Sequence, residues 1–344
     1  MTPFLEKKLE CIDNFAVFDG YAKAINVLNQ STSALCSISG GSDSDIVLDI
    51  MHNADELGKV SYYWIDTGLE YRATKEHLKY LEEKYGIEIM KIKPKKPIPL
   101  CVKEYGIPFL SKYVSEQMMR LQKHGFQWED EPLDVLMKKY PDCKVALQWW
   151  CNAYYSDEKG IQQMSRYSIS RNRFLKEFIM ENPPDFPISN KCCEYSKKKP
   201  AKELIKSTGC DLEITGIRKS EGGIRSNIFK SCFSASISKG CNTYRPLFWY
   251  TDADKKYYEE HFDVSHSDCY SVYGMKRTGC AGCPFNPKIT EELEIIENFE
   301  PKLYAAAYNL FGKSYEYTKK YRDFVKKKKA EEKENKDIKQ TGKD

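Results

Sequence analysis

Residues 34–57 decide the fold of this chain and read ALCSISGGSDSDIVLDIMHNADEL. The apolar run over 34–38 predicts a buried strand, and the apolar residues after the turn recur at helical spacing. The hexapeptide between them, SGGSDS at 39–44, is therefore a strand-to-helix turn. Gly40 and Gly41 let the backbone curl until successive N–H groups point at one spot, and the following helix adds its positive end. The sequence predicts a site for a phosphate or sulfate.

The hydroxyl groups of Ser39, Ser42 and Ser44 add further donors to this turn. An ordinary Gly-Ser turn with a Ser or Asp helix cap is the alternative interpretation. The strand before the turn and the amphipathic helix after it favour the anion site. The turn is not a Walker P-loop, because no Gly-Lys-Ser/Thr follows it.

The composition is that of a globular protein. The chain has 344 residues, 30% of them charged and 41% apolar, and a net charge of +4 that does not by itself argue for nucleic acid. The first 15 residues contain no apolar signal core, and no stretch approaches the roughly 20 apolar residues of a membrane span. We expect a cytoplasmic protein without a membrane partner, in which most of the 13 cysteines are reduced thiols.

Alternating strands and helices follow the glycine turn. Strands are predicted at 59–66 and 87–92, a helix at 70–85 between them, and a further strand at 212–216. This order predicts an α/β fold, a doubly wound parallel sheet that binds ligands beyond the carboxyl ends of its strands.

The pattern divides the chain into five segments. Residues 1–96 and 187–290 form the two parts of a nucleotide-binding domain, 97–186 a helical insertion, 291–325 C-terminal helices, and 326–344 a charged tail that is disordered or a fraying helix. Tryptophan, tyrosine and basic residues of the insertion, Trp149 and Trp150 among them, either contact a polymer or partner or are core aromatics and solvated charges.

Four cysteines form a distinct constellation. Cys192 and Cys193 are adjacent, and Cys280 and Cys283 form a distant Cys-x-x-Cys. Four thiolates suit zinc or a four-iron four-sulfur (4Fe-4S) cluster. A Cys-x-x-Cys alone does not distinguish zinc, a cluster and a redox dithiol, and buried structural cysteines are a further alternative.

The hexapeptide resembles the SGGxDS signature of PP-loop ATP pyrophosphatases and of the phosphoadenosine phosphosulfate (PAPS) reductase family. The tandem cysteines with a distant Cys-x-x-Cys resemble the iron–sulfur branch of that family, the adenosine phosphosulfate (APS) reductases. The resemblance implies an adenine nucleotide alpha-hydrolase-like fold. It also implies a 4Fe-4S cluster held by Cys192, Cys193, Cys280 and Cys283.

Two more stretches resemble family elements. Asp66-Thr67-Gly68 is similar to the DTG loop beside the adenosine, and Gly216 to Glu221 with Arg225 is similar to the GxRxxES...R segment, in which Gly222 here replaces the usual Ser. The forked guanidinium groups of Arg218 and Arg225 suit a phosphate or sulfate, and Glu221 is placed to hold one of them. A surface ion-pair cluster is the alternative. The residues implied to bind nucleotide are Ser39, Gly40, Gly41, Ser42, Asp43, Ser44, Asp66, Thr67, Gly68, Gly216 and Glu221, with Arg218 and Arg225 at its anionic end.

One family element is absent from this sequence. The reductases carry a C-terminal Glu-Cys-Gly-Ile/Leu-His whose cysteine attacks the sulfur, whereas the last cysteine here is Cys283. Cys241, with Cys232 behind it, is the candidate substitute for this nucleophile. A packed, unreactive thiol is the alternative for either.

Three functions follow from these patterns. The first is an iron–sulfur enzyme of the PAPS reductase family that acts on APS, PAPS or ATP in sulfur chemistry, with a thiol electron donor such as thioredoxin. The second is an ATP-dependent, magnesium-requiring sulfurtransferase that thiolates tRNA or DNA. The third is an inactive nucleotide-binding or redox-sensing module.

Overall fold

A computed structural model of the chain describes residues 9–156, 160, 162–164, 168–222, 228–236 and 240–341. The chain forms two compact units. Unit 1 contains residues 1–95 and 195–281, and unit 2 contains residues 96–194 and 282–344. The predicted helical insertion and the predicted C-terminal helices thus fall mainly in one unit.

Unit 1 is built on a six-stranded sheet with the order β3-β2-β1-β6-β8-β7. Its strands are β1 (Ala34–Ser37), β2 (Val60–Ile65), β3 (Ile89–Ile92), β6 (Leu212–Ile214), β7 (Phe233–Ser234) and β8 (Asn242–Tyr244). Five of these strands run parallel, and the edge strand β7 pairs antiparallel with β8. The predicted α/β fold is confirmed, and the short antiparallel edge is an addition that the sequence pattern did not reveal.

The order of the strands sets where ligands can bind. β1 lies between β2 and β6, with Ala34 opposite both Val60 and Leu212. The chain therefore changes direction across the sheet at β1, and the carboxyl ends of β1, β2 and β6 meet at one edge. The glycine turn, the Asp66 loop and the segment after Ile214 all begin at this carboxyl edge.

Helices cover the sheet of unit 1. They are α1 (Phe15–Gln30), α2 (Ser42–Ala54), α3 (Arg72–Tyr85), α10 (Lys199–Thr208), α11 (Asp252–Phe262) and α12 (Asp268–Ser271). Helix α2 is buried over most of its length, which explains its high apolar content. On α1, Val17, Tyr21 and Leu28 are buried, whereas Phe15 is 80% and Phe18 45% exposed.

Unit 2 is mainly helical and has its own core. Its helices are α4 (Ile98–Tyr105), α5 (Lys112–Lys123), α6 (Leu133–Lys139), α7 (Lys144–Trp150), α8 (Leu175–Glu181), α9 (Lys191–Cys193), α13 (Ile289–Phe299) and α14 (Pro301–Thr341). A two-stranded hairpin, β4 (Tyr154–Ser156) and β5 (Gln162–Met164), interrupts the insertion that was predicted to be helical. Trp149 and Trp150 are both buried in this core, so they are core aromatics.

Helix α14 extends much further than the sequence pattern suggested. It continues through Thr341, and Lys328 lies 3.7 Å from the carboxylates of both Glu177 and Glu181 on α8. The charged segment 326–344 was predicted to be disordered or a fraying helix, and its described part, through Thr341, is helical. Among the described helices, none is both long and apolar enough to cross a membrane.

Candidate active site

The turn between β1 and α2 is tightly constrained. Gly40 has a φ of +67°, and a Cβ there would lie 2.6 Å from Cγ2 of the buried Thr74. Gly41 begins α2, and a Cβ on it would approach the hydroxyls of Ser39 and Thr278 at 3.2 Å. Gly40 therefore requires glycine for its backbone conformation and for space, whereas a side chain at Gly41 would require the Ser39 or Thr278 hydroxyl to shift.

The polar groups of this turn converge. The backbone N–H groups of Ser39 and Gly41 donate to Oγ of Ser44 at 3.2 and 3.1 Å. The Ser44 hydroxyl donates to the Gly41 carbonyl at 2.7 Å. Since two N–H groups already point at a single oxygen, the backbone has the curled form that suits an anion at a helix N-terminus.

Two cations meet at Asp43 in the first turn of α2. Arg218 Nε lies 3.1 Å from one carboxylate oxygen of Asp43, and Lys255 Nζ lies 2.9 Å from the other. Lys255 also donates to the Ser42 hydroxyl, and Arg218 donates to Asp252 at 2.7 Å. Burial opposes the charge of Arg218, but its hydrogen bonds to Asp252 and Asp43 outweigh this and raise its pKa. The hydrogen bond from Arg218 lowers the pKa of Asp252.

A second carboxylate, that of Asp45, lies two residues after Asp43 on α2. Asp45 is fully buried, and His266 Nδ1 lies 2.8 Å from its Oδ2. The other ring nitrogen of His266 lies 2.8 Å from Glu259, and His77 Nε2 lies 3.1 Å from Asp45 without hydrogen-bond alignment. Burial disfavours the His266 cation, but the two carboxylates outweigh it and raise its pKa to about 9. His266 is therefore positively charged at neutral pH.

The Asp66-Thr67-Gly68 loop is fixed by Glu70. This carboxylate accepts hydrogen bonds from the Thr67 hydroxyl, the Thr67 N–H and the Gly68 N–H. Burial raises the pKa of Glu70. Asp66 lies 2.7 Å from Lys91, and although burial opposes it, this bond helps to keep the pKa of Asp66 below its usual range.

Residues 278–280 lie beside both the glycine turn and the Asp66-Thr67-Gly68 loop. Tyr270 Oη accepts the Ser42 N–H at 3.0 Å and lies 3.3 Å from the Thr278 hydroxyl. Two residues further on, the Cys280 thiol lies 3.6 Å from the Thr67 hydroxyl. The structure therefore brings Cys280 to the carboxyl edge, beside the predicted nucleotide loops.

The predicted arginine segment is only partly described. A Cβ on Gly216 would lie 3.4 Å from the Asp43 carbonyl, so this glycine packs directly on the turn. Arg218 contacts Asp43 as above, and Glu221 ends a short 3-10 turn and is exposed. Arg225 lies outside the described residues, so its predicted role stays a prediction.

The four predicted cluster ligands are divided between the units. Cys280 belongs to unit 1, whereas Cys192, Cys193 and Cys283 belong to unit 2. None of these four cysteines forms a disulfide. Within unit 2, the turn before Cys283 is fixed because Gly282 donates to Glu292 at 3.1 Å and accepts from Tyr315. Across the described ranges, no group of three or more His, Cys, Asp or Glu side chains is placed to hold a metal ion.

Cys241 lies at the opposite edge of the sheet from the glycine turn. It directly precedes β8, and its Sγ is 3.8 Å from that of Cys210, which precedes the neighbouring parallel strand β6. Burial and the neighbouring Cys210 raise the pKa of Cys241 to about 12. The amino end of a parallel strand and a mostly protonated thiol do not suit a nucleophile for a ligand at the carboxyl edge. Cys232, the second candidate, packs partly buried against the main core of unit 1.

Several residues of this site escaped the sequence analysis: Lys255, His266, Tyr270, Thr278, Asp45 and Glu70. Most lie far from the glycine turn in sequence and reach it only through the packing of α11 and α12. Asp45 and Glu70 had a usable signal, because they closely follow the glycine turn and the DTG loop.

A parallel α/β sheet with this glycine turn after its first strand agrees with the fold that the SGGxDS resemblance implies. Residues 33–141 match the family model described as the phosphoadenosine phosphosulfate reductase domain. This match confirms the resemblance to the PAPS reductase family, and it covers the glycine turn and the Asp66 loop but neither the arginine segment nor the paired cysteines. No curated protein matches the chain.

Solved structures are similar at low identity. Phosphoadenylyl-sulfate (PAPS) reductase from Candida auris, as its phosphate complex, is 16% identical with a TM-score of 0.40, over 75% of this chain and 87% of that one. The U34-tRNA thiolase NcsA from Methanococcus maripaludis, with its [4Fe-4S] cluster, is 12% identical with a TM-score of 0.36, over 89% and 79%. The NH3-dependent NAD synthetase from Campylobacter jejuni is 12% identical with a TM-score of 0.31, over 88% and 96%. These likenesses are too distant to assign a role to any residue.

Proposed function

We propose that this chain is an enzyme that binds an adenylyl nucleotide at the carboxyl edge and performs sulfur chemistry on it. The observation that carries the proposal is the convergence on residues 39–44 of two backbone N–H groups, three hydroxyls and two cations. Such an arrangement suits the phosphate groups of a nucleotide. The match of residues 33–141 to the PAPS reductase domain supports the adenylyl class of nucleotide.

Each residue has a task that follows from its place. When the ligand binds, the N–H groups of Ser39 and Gly41 donate to a phosphate oxygen in place of the Ser44 hydroxyl. Arg218 donates to the anionic end, because its Nη1 presently serves Asp252, whose side chain is 90% exposed and easily displaced. Lys255 holds Ser42 and Asp43 in place, so the turn is formed before the ligand arrives. The loop of Asp66, Thr67 and Gly68 borders the adenosine.

The paired cysteines suit an iron–sulfur cluster by the chemistry of their donors. Four reduced thiols in a tandem pair and a Cys-x-x-Cys, with the second pair on a turn fixed by Glu292 and Tyr315, provide the ligand set of a 4Fe-4S centre. Cys192, Cys193, Cys280 and Cys283 would hold it, and it would take part in redox chemistry or tune the anionic pocket electrostatically. The Thr67 hydroxyl, 3.6 Å from the Cys280 sulfur, orients that ligand toward the nucleotide loop.

A second function is an ATP-dependent sulfurtransferase that adenylates tRNA or DNA and then transfers sulfur. The position of Cys241 at the amino edge favours this alternative, because a reductase needs a thiol nucleophile at the carboxyl edge. In the transferase the turn binds pyrophosphate, with magnesium as the metal, and the sulfur comes from a separate donor.

The experiment that tests both functions uses anaerobically purified protein incubated separately with APS, PAPS and ATP plus magnesium. Sulfite with AMP or adenosine bisphosphate, in the presence of thioredoxin, is the result expected of a reductase. Pyrophosphate and AMP from ATP, increasing with added tRNA or DNA, is the result expected of a transferase. Nucleotide binding without any turnover leaves the inactive module, and absence of binding to all three nucleotides overturns the proposal.

The cluster has its own readout that is independent of turnover. The anaerobic protein should be brown, with about four irons per chain. Cys192→Ser and Cys283→Ser should each lose the colour, and Cys143→Ser, which changes a buried cysteine outside the set, should keep it. A colourless wild type that contains zinc contradicts the cluster and leaves the nucleotide site untouched.

A further inference from the structure

Two cysteines outside the proposed active site lie in contact. Cys210 and Cys241 precede β6 and β8, which are adjacent and parallel, and their Sγ atoms are 3.8 Å apart. The backbones are joined beside them, since the Asn242 N–H donates to the Asp211 carbonyl at 2.8 Å. Both are free thiols. The fold therefore holds the two sulfurs together whatever is bound at the carboxyl edge.

The backbone around this pair has room to close a bond. Each cysteine follows a glycine in the left-handed region, Gly209 with φ +66° and Gly240 with φ +68°. A Cβ on either glycine would meet no atom of the described residues within 4 Å. The sulfurs must approach from 3.8 Å to about 2.05 Å to form a disulfide. Two glycine turns allow this shift without moving the strands.

The two thiols differ in exposure. Cys210 is 5% exposed and packs against Leu35 and Tyr63, whereas Cys241 is half-buried and reachable from solvent. A reagent in solution therefore reacts with Cys241 first, and Cys210 is placed to react with the modified Cys241 sulfur. This is the arrangement of an attacking and a resolving cysteine.

We propose that Cys210 and Cys241 form a redox-active dithiol, at which a small organic disulfide exchanges with the protein to leave a Cys210–Cys241 disulfide. The Cys241 thiolate attacks one sulfur of the reagent, forms a mixed disulfide and releases the first small thiol. The Cys210 sulfur then attacks Cys241 Sγ and releases the second. The protein loses two protons and two electrons in total, and the reagent is reduced to two thiols.

The rate at which this thiol pair is oxidised should depend strongly on pH. Burial and the neighbouring Cys210 raise the pKa of Cys241 to about 12, so its thiolate is scarce at neutral pH. Oxidation should therefore be slow at pH 7 and should accelerate about tenfold per pH unit toward pH 9. The disulfide closes a loop that contains Arg218, and closing a loop of this length stabilises a fold against unfolding.

The experiment uses the full-length protein and oxidised glutathione as the probe. After acid quenching and alkylation, trypsin releases Cys210 in residues 207–218 and Cys241 in residues 240–255, because Pro246 blocks cleavage after Arg245. Each peptide contains a single cysteine, so their linkage is unambiguous by mass spectrometry. We expect this linked pair to be the main disulfide formed, with the urea midpoint raised in the oxidised protein.

Variants separate the two steps. Cys210→Ser should stop at the mixed disulfide, with one glutathione on Cys241, and Cys241→Ser should leave Cys210 unmodified. Cys232→Ser, which changes another partly buried cysteine of unit 1, should leave the linked peptide unchanged. Wild-type protein in which Cys210 and Cys241 stay separately alkylated at every glutathione ratio overturns the proposal, as does linkage of either to a different cysteine.

Discussion

The two edges of the six-stranded sheet use polar groups in different ways. At the amino edge, Asp211 accepts from the backbone of Thr32 and Ser33, and Lys59 donates to the carbonyls of Leu28 and Ser31. At the carboxyl edge, side chains mainly bind other side chains, as Arg218 and Lys255 do with Asp43.

This difference indicates which edge is built to exchange partners. A backbone group buried at a strand end must be paired for the strand to form, so the hydrogen bonds of the amino edge belong to folding. The ion pairs of the carboxyl edge can be replaced by phosphate oxygens without leaving a backbone group unpaired. The thiol pair is the one reactive feature that we assign to the amino edge.

The largest effect should come from Gly40→Ala at the carboxyl edge. The alanine must adopt a φ of +67° and place its Cβ against the buried Thr74, so the free energy of unfolding should fall by about 2–4 kcal/mol. Gly58→Ala is the matched control: its φ is +64°, but no atom of the described part of the chain lies within 4 Å of a Cβ there, and it should lose only about 1 kcal/mol. Urea unfolding measures both, and equal losses would show that the turn is not tightly packed.

Arg218→Ala should weaken nucleotide binding about 10- to 100-fold, because it removes a charge-assisted donor from the anionic end. Isothermal titration with the nucleotide that the enzyme turns over measures the change. Arg120→Ala removes an arginine that pairs with Glu116 on the surface of unit 2 and should leave the affinity unchanged. If the two variants bind equally well, Arg218 belongs to a structural ion-pair cluster.

His266 should make stability depend on pH. Its folded pKa of about 9 lies above the ordinary value of 6.5, so its stabilising effect is complete below pH 6.5 and is lost as the pH rises through 9. The free energy of unfolding should fall by about 1–2 kcal/mol over this range, allowing for solvent screening. His266→Gln should remove this part of the slope in urea unfolding at several pH values. An unchanged slope would show that His266 is not charged between Asp45 and Glu259.

The smallest effect should come from Cys210→Ser at the amino edge. Since Cys210 precedes β6 and the turn follows β1, the substitution should change the nucleotide dissociation constant by less than about twofold. The same titration measures it. A change of fivefold or more would show that the two edges are coupled through β6 and do not act independently.

Much of this site was accessible from the sequence because it is local. Residues 39–44 and 66–68 directly follow the first two strands, so the strand pattern alone placed them at one edge. The same reasoning failed for Cys241, because its sequence position after the arginines does not reveal that it precedes a strand. It also missed Lys255, which resembles any charged residue of a surface helix, and His266, which lies in the loop between α11 and α12.

The sequence by itself determined the parallel α/β fold, the glycine turn and the Asp66 loop, since each depends on neighbours within a few residues. Only the tertiary structure decided that Lys255 and Arg218 meet at Asp43, that His266 is held between Asp45 and Glu259, and that Cys241 contacts Cys210. The physical reason is distance along the chain. His266 and Glu259 are 7 residues apart, but the other partners are separated by 31 to 221 residues, and only the order of strands in the sheet and the packing of helices on it bring them together.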